Sequence, residues 1–182
     1  MKWMIASDIH GSGFYARKLI DAYHQEKADR LLLLGDILYH GPRNDLTQEY
    51  NPQLVCSLLN EIKDEIVCVR GNCDSEVDQM VLEFPIMSDY TLLAEGSSTI
   101  FATHGHIYNE QVLPPLYKGD ILLTGHTHIP SCCRHENYTY MNPGSVSLPK
   151  AGSWHGYMTL DRGEFVWKDL DGNIRQTFKI AG

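Results

Sequence analysis

Apolar residues in the first half of the chain alternate between two spacings. Short apolar runs at 3–7, 31–34 and 66–69 have the length and composition of strands. Between them, Ala16, Leu19, Ile20 and Tyr23 recur at i, i+3, i+4 and i+7, and Val55, Leu58, Leu59 and Ile62 repeat that spacing, so each interval predicts a helix with one buried face. Asn51 before Pro52 supplies a capping side chain and a first-turn proline for the second helix, and Ser75-Glu-Val-Asp78 marks the start of a third. Strands joined by helices imply a largely parallel local topology.

Beyond Pro85 the period shortens. Residues 90–94 and 99–103 flank Glu95-Gly96, another apolar run covers 121–124, and turn signals at Glu136-Asn137, Arg162-Gly163 and Asp171-Gly172 divide the remainder into hairpins ending at 173–180. Trp154, Tyr157, Phe165, Trp167 and Phe178 read as sheet core rather than a base-stacking platform. A helix-rich half followed by a strand-rich half predicts an α/β protein: a four-layer α/β/β/α sandwich of two facing mixed sheets flanked by helices, in one domain spanning 1–182.

Composition narrows the function. The 182 residues are 43% hydrophobic, carry a formal charge of −8 and have a pI near 5.5, which argues against long nucleic acid as a partner. No apolar run approaches the roughly 20 residues that cross a bilayer, so no membrane association is expected. The first predicted strand leads straight into Asp8, leaving no removable signal peptide and implying a cytoplasmic protein. Cys56, Cys68, Cys73, Cys132 and Cys133 form an odd set without CxxC spacing and read as reduced, buried thiols, with Cys73 set apart by its neighbours.

Polar residues that would not suit a strand interior sit just past the carboxyl ends of the predicted strands: Asp8 and His10, Asp36, Asn72, His104, then His126 and His128. Loops converge there in α/β sheets. Two carboxylates, an amide and four imidazoles are oxygen and nitrogen donors suited to borderline divalent metals, and seven of them exceed what one tetrahedral ion takes. Two ions sharing one carboxylate fit the number, with Asp36 as the shared residue.

Ser-Asp8-Ile-His10-Gly, Gly35-Asp36, Gly71-Asn72-Cys73-Asp74, Thr103-His104-Gly-His106 and Gly125-His126-Thr-His128 together resemble the motif series of calcineurin-like metallophosphoesterases. The likeness runs from residue 5 to the end of Asn142-Pro-Gly-Ser-Val-Ser-Leu-Pro149, and His40-Gly-Pro-Arg43-Asn44 with 70–78 points to the small bacterial YfcE-type phosphodiesterase branch. The resemblance implies that Asp8, His10 and His128 hold one metal, that Asn72, His104 and His126 hold the other, and that Asp36 bridges them. It implies in-line attack on small phosphodiesters by a hydroxide bridging two divalent metals, Mn2+ foremost, with Fe, Zn2+ and Ni2+ as alternatives. Asp36, Asn72 and His104 are then the catalytic residues.

Where the wider superfamily continues Gly-Asn with a proton-donating histidine, this chain has Cys73. Good leaving groups such as aryl esters, or a donor at His40 or His106 on exposed loops, answer that departure. Cys73 fills space, tunes access to the metals or meets the substrate. Arg43 grips a substrate phosphate or pairs with a surface acid, with Asn44 beside it, while Asp74 orients a ligand histidine or caps the helix after it. Asn142 supports the site from behind, and His24, His135 and His155 read as surface residues. Three other functions compete: a phosphomonoesterase or nucleotide phosphatase, a noncatalytic interaction scaffold of the same fold, and a nuclease disfavoured by charge. A homo-oligomer would join through Met80, Leu82 and Phe84 or through the terminal strands.

Overall fold

In the computed structural model, which describes residues 1–180, three βα units open the chain. Strand β1 (Trp3–Ala6) is followed by helix α1 (Gly13–Glu26), β2 (Arg30–Leu33) by α2 (Pro52–Asn60), and β3 (Ile66–Cys68) by the short α3 (Glu76–Val81). The helix starts follow their sequence signals. Ser12 accepts from the Tyr15 amide, Asn51 accepts from Leu54 ahead of Pro52, and Ser75 with Asp78 forms a reciprocal capping box.

Strands β1, β2 and β3 pair in parallel. Ala16, Leu19, Ile20 and Tyr23 of α1 and Val55 and Leu59 of α2 pack with Met4, Leu31 and Ile66 in one apolar cluster. Each fully buried Leu or Ile there contributes roughly 1.5–3 kcal/mol. The later strands are β4 (Tyr90–Glu95), β5 (Ser98–Thr103), β6 (Asp120–Leu123), β7 (Ser131–Arg134), β8 (Tyr138–Asn142), β9 (Gly156–Asp161), β10 (Glu164–Asp169) and β11 (Ile174–Lys179). The first sheet runs β11-β10-β9-β1-β2-β3 and the second β4-β5-β6-β8-β7.

The two sheets face each other across a second cluster. Ile5, Leu32, Phe165 and Trp167 from the first sheet meet Ile100, Ile121, Leu123 and Met141 from the second, all nearly or wholly buried. Phe165 and Trp167 are therefore core, while Tyr157, with its side chain on the other face, joins the helices. The α/β sandwich of two mixed sheets is thus the observed fold, with one difference in its outer layers. Among the described residues the three α-helices all follow strands of the first sheet, whereas Phe101, Leu122 and Tyr140 on the outside of the second are covered by Tyr108 and Leu116 of an irregular segment.

Leu82 and Phe84 correct the expected oligomer contact. Both are buried in the helix-side cluster, because the chain turns inward after α3, and only Met80 of the three is exposed. Of the cysteines, Cys68 alone is buried; all five are free thiols, and Cys133 is exposed. His24 and His135 lie on the surface, but His155 is half-buried, stacked on Tyr15 at 4.0 Å. Among the described residues, no helix is long and apolar enough to cross a membrane.

Candidate metal centre

The carboxyl ends of β1, β2, β3, β5 and β6 converge at one rim between the sheets, and the loops leaving them are tied together by main-chain hydrogen bonds. Asp8 and His10 amides donate to the Gly35 and Asp36 carbonyls at 3.1 and 2.9 Å, and Gly125 donates to His104 at 2.8 Å. Two glycines make the approach possible. A Cβ on Gly71 would lie 2.1 Å from Asp36 Oδ1, and one on Gly125 would lie 1.9 Å from Ser7 Oγ.

Five of the seven residues singled out from sequence adopt left-handed backbone: Asp8 (φ 59°), His10 (48°), Asp36 (56°), His126 (65°) and His128 (61°). Asp and His tolerate this region better than most, yet each still costs on the order of 1 kcal/mol. The strain turns all five side chains inward from tight strand-end turns.

The seven fall into two sets. In one, Asp8 Oδ1 lies 3.5 Å from His10 Nε2 and 3.2 Å from His128 Nε2, and the two imidazole nitrogens are 3.3 Å apart. In the other, His104 Nε2 lies 3.1 Å from Asn72 Oδ1 and 3.2 Å from His126 Nδ1. Asp36 Oδ2 stands between the sets, 3.6 Å from His10 Nε2 and 3.5 Å from His104 Nε2.

Supporting contacts set the direction of each donor. His10, His104 and His128 direct Nδ1 to the carbonyls of Tyr39, Leu34 and Leu148 at 2.8, 2.6 and 2.7 Å. Those bonds leave Nε2 facing inward, as second-sphere carbonyls do around metal-bound imidazoles. Asp36 Oδ1 accepts from the Cys73 amide at 2.8 Å, which keeps Oδ2 free. Ser145 and Ser147 hydroxyls hold the Asp8 carbonyl at 2.9 and 3.1 Å. Asn142, wholly buried, gives its amide to the Gly125 carbonyl at 2.7 Å and so supports the turn carrying His126 and His128.

These donors fit divalent cations. Asp8 Oδ1 is buried without a hydrogen-bond donor, and inward imidazole nitrogens oppose one another. Burial works against the charged forms, but paired groups outweigh it: His10 and His128 hold Asp8 well below the usual carboxylate range, and Asp36 and Asp8 lift His104 to about 9. The two carboxylates therefore draw positive charge into a buried place.

Other residues depart from their expected roles. Asp74 touches no histidine and caps no helix; it accepts from the Gly71, Asp36 and Ile37 amides at 2.7, 2.9 and 2.8 Å, binding the β2 loop to the β3 loop. His40 is half-buried rather than exposed, its ring packed edge-on against Tyr39 and Tyr50. His106 is also half-buried, and burial beside His104, Arg70 and His126 lowers it to about 4. Burial and then the Asp36 carboxylate push the Cys73 thiol up to about 12.

A cleft of about 480 Å3 opens over the two sets, with Arg43, Asn44 and Cys73 on one wall and Lys150 on another. Arg43 makes no ion pair among the described residues, which leaves its guanidinium available to an anion. Lys150 escaped the sequence reading, since a lone surface lysine carries no pattern. Its amide bonds to the His128 carbonyl at 3.1 Å, and this contact brings it to the cleft.

A family model described as the calcineurin-like phosphoesterase superfamily domain matches residues 1–164. The chain belongs to that superfamily. Within it, the chain is 45% identical over 161 residues to the phosphodiesterase YfcE of Escherichia coli K12, covering 88% of each. The solved structure of YfcE, a phosphoesterase from E. coli, aligns over all of both chains with a TM-score of 0.96 and 42% identity. Vacuolar protein sorting 29 from Cryptosporidium parvum shares the fold at 21% identity and a TM-score of 0.59, over 98% of this chain and 97% of its own. Membership of this family implies divalent metals, and the chain's groups of convergent Asp and His donors, with ligand atoms within 4.8 Å of one another, could hold them.

Proposed function

We infer that this metallophosphoesterase hydrolyses small phosphodiesters in the cytoplasm, as one domain spanning 1–182. Asp8, His10 and His128 would hold one metal, Asn72, His104 and His126 the other, and Asp36 both. The observation that carries this reading is Asp36 Oδ2 standing about equally far from His10 and His104, each imidazole fixed from behind by a carbonyl. Mn2+ is the proposed ion, with Fe, Zn2+ or Ni2+ suited to the same nitrogen and oxygen donors. Five free thiols support the cytoplasmic assignment, and the core shared by the two sheets supports the single domain.

Bound there, the cations would offset the charge of the phosphate oxygens and acidify the attacking water. Arg43 and Lys150 draw the diester into the cleft and orient it from its rim. Asn72 points its side-chain nitrogen toward Cys73 Sγ at 3.2 Å, leaving its oxygen facing His104. A thiol near 12 stays protonated and is a poor match to protonating a leaving alkoxide at neutral pH, and His106, lowered to about 4, is neutral there and lacks the acidic imidazolium proton. The reading therefore favours esters whose leaving group departs unaided, such as aryl esters.

Parallel assays of a bis-aryl phosphodiester and an aryl phosphomonoester with Mn2+-reconstituted protein test it. The diester is expected to be the better substrate by kcat/KM, and a marked preference for the monoester would overturn the diester assignment. Metal analysis adds a second test: a site that stays empty when Mn2+ is supplied would favour a scaffold.

A further inference from the structure

We propose that a second, apolar cleft behind Cys73 receives a hydrocarbon arm of the substrate, so that the enzyme selects phosphodiesters with at least one neutral apolar substituent. This rests on the phosphodiesterase reading above and specifies its substrate class. The cleft holds about 580 Å3, within the roughly 300–1,000 Å3 range of small-molecule pockets. Leu38, Tyr39, Tyr50, Val77 and Val81 supply its apolar walls.

Cys73 connects this cleft to the site. Its side chain lies in the wall of both cavities, and Gly41 of the intervening loop is close enough that a Cβ there would sit 3.2 Å from Cys73 Sγ. Tyr39 is a second connection, since it lines the apolar cleft and its carbonyl meets His10 Nδ1 at 2.8 Å. A diester with its phosphorus over Asp36 would lie next to Cys73, whose amide donates to Asp36 Oδ1 at 2.8 Å and which also lines the apolar recess.

The lining chooses the arm. No lysine or arginine faces the cleft, and its one acid, Asp78, is engaged by the Ser75 amide and hydroxyl at 2.8 and 2.9 Å. A second phosphate would find no cation there and would lose its hydration. Val77 and Val81, four residues apart on α3, present one helix face to the cleft, and with Tyr39 they leave large apolar side chains 69%, 48% and 41% exposed. An alkyl or aryl arm would cover that surface.

The experiment is calorimetric titration of Mn2+-loaded protein with methyl-, ethyl-, propyl- and butylphosphonate, alongside inorganic phosphate. Affinity is expected to rise about three- to fourfold per methylene, the value of one buried CH2. The Val77→Asn/Val81→Asn double variant, altered only at exposed positions, is expected to flatten that series to less than about twofold per step. A flat series in the unaltered protein, with methylphosphonate still binding in a metal-dependent way, overturns the apolar arm and leaves the metal site standing. Absence of any metal-dependent binding of methylphosphonate or phosphate, together with absence of diester hydrolysis, overturns both readings. A dimer in light scattering that the double variant dissolves would assign the cleft to a second copy of the chain and overturn the proposal.

Discussion

His10 and His128 point their Nε2 atoms at each other across 3.3 Å, while each directs Nδ1 to a main-chain carbonyl, that of Tyr39 or of Leu148. With both Nδ1 positions committed as donors, two lone pairs meet unless a proton or a cation joins them. Asp8 Oδ1, buried and lacking a donor, adds negative charge to the same place. Divalent metal should therefore stabilise the fold as well as serve the reaction. At a free concentration about a hundredfold above Kd, binding adds roughly 2.7 kcal/mol, which for a chain of this size raises Tm by roughly 5–10 °C. Calorimetric scans of chelator-treated protein with and without Mn2+ measure this, and superimposable transitions would count against a metal site here.

Asp36→Asn separates charge from shape. The substituted side chain can still accept from the Cys73 amide through its oxygen, but the anionic oxygen between His10 and His104 is lost. We expect turnover to fall by at least about a thousandfold, a little over 4 kcal/mol of transition-state stabilisation. Bound metal should fall from two ions per chain toward one. Substantial activity with two ions retained would refute the shared-ligand role.

Arg43→Ala and Lys150→Ala probe how the cleft gathers its anion. Both side chains are exposed, so each contributes little beyond a screened attraction. A rise in KM of about two- to fivefold with kcat nearly unchanged is expected for each, and the effect should shrink in high salt. A fall in kcat at constant KM would instead mean that the charge acts only in the transition state.

Much of this arrangement was legible in the chain because it is local. The period of Ala16, Leu19, Ile20 and Tyr23, and the caps at Asn51 and Ser75, depend on neighbours within a turn or two, and each appears as expected. The seven polar residues stood out because each follows a short apolar run, where a strand must end. Pairing across long stretches of chain carried no such signal: β9 returns to lie antiparallel to β1, setting Leu160 opposite Trp3. The outer cover of the second sheet escaped for a related reason, since Tyr108 and Leu116 belong to no helical or strand period. Asp74 illustrates the same limit at the site. Its place in the Gly71-Asn72-Cys73-Asp74 motif suggested a histidine partner or a helix cap, but the amides of the β2 loop that it binds come near it only when β2 and β3 pair.

Asn142→Ala tests support given to the site from behind. Removing the amide leaves the Gly144 amide without its acceptor, 2.8 Å away, and takes one of two donors from the buried Gly125 carbonyl, which keeps the Thr127 amide at 2.7 Å. A loss of about 1–3 kcal/mol in unfolding free energy follows for each buried group left unsatisfied. Because the same turn carries His126 and His128, metal affinity should also weaken, by about 10- to 100-fold if Asn142 acts as other outer-shell partners do. Denaturant unfolding and metal titration read the two effects separately. A stability loss with unchanged metal affinity would make Asn142 structural only.

Glu26 connects acid stability to a place far from the cleft. At the end of α1 its carboxylate accepts from Lys168 at 2.5 Å, Lys2 at 2.7 Å and Tyr157 at 2.9 Å, joining the first helix to the residue just before β1 and to β9 and β10. Burial alone would raise its pKa, but Lys168, Lys2 and Tyr157 outweigh burial and lower it. A carboxylate whose folded pKa is depressed contributes stability that is fully present above its unfolded pKa of about 4.3 and is lost as pH falls through the folded value. Glu26→Gln should therefore cost roughly 1–3 kcal/mol at pH 7, by removing a charged acceptor from two lysines and a phenol. The difference between the variant and the unaltered protein should narrow below about pH 4, where the carboxylate takes up a proton. Urea unfolding at pH 7 and at successively lower pH measures the gap, and a gap that stays constant through the acid range would remove Glu26 as a source of the acid sensitivity.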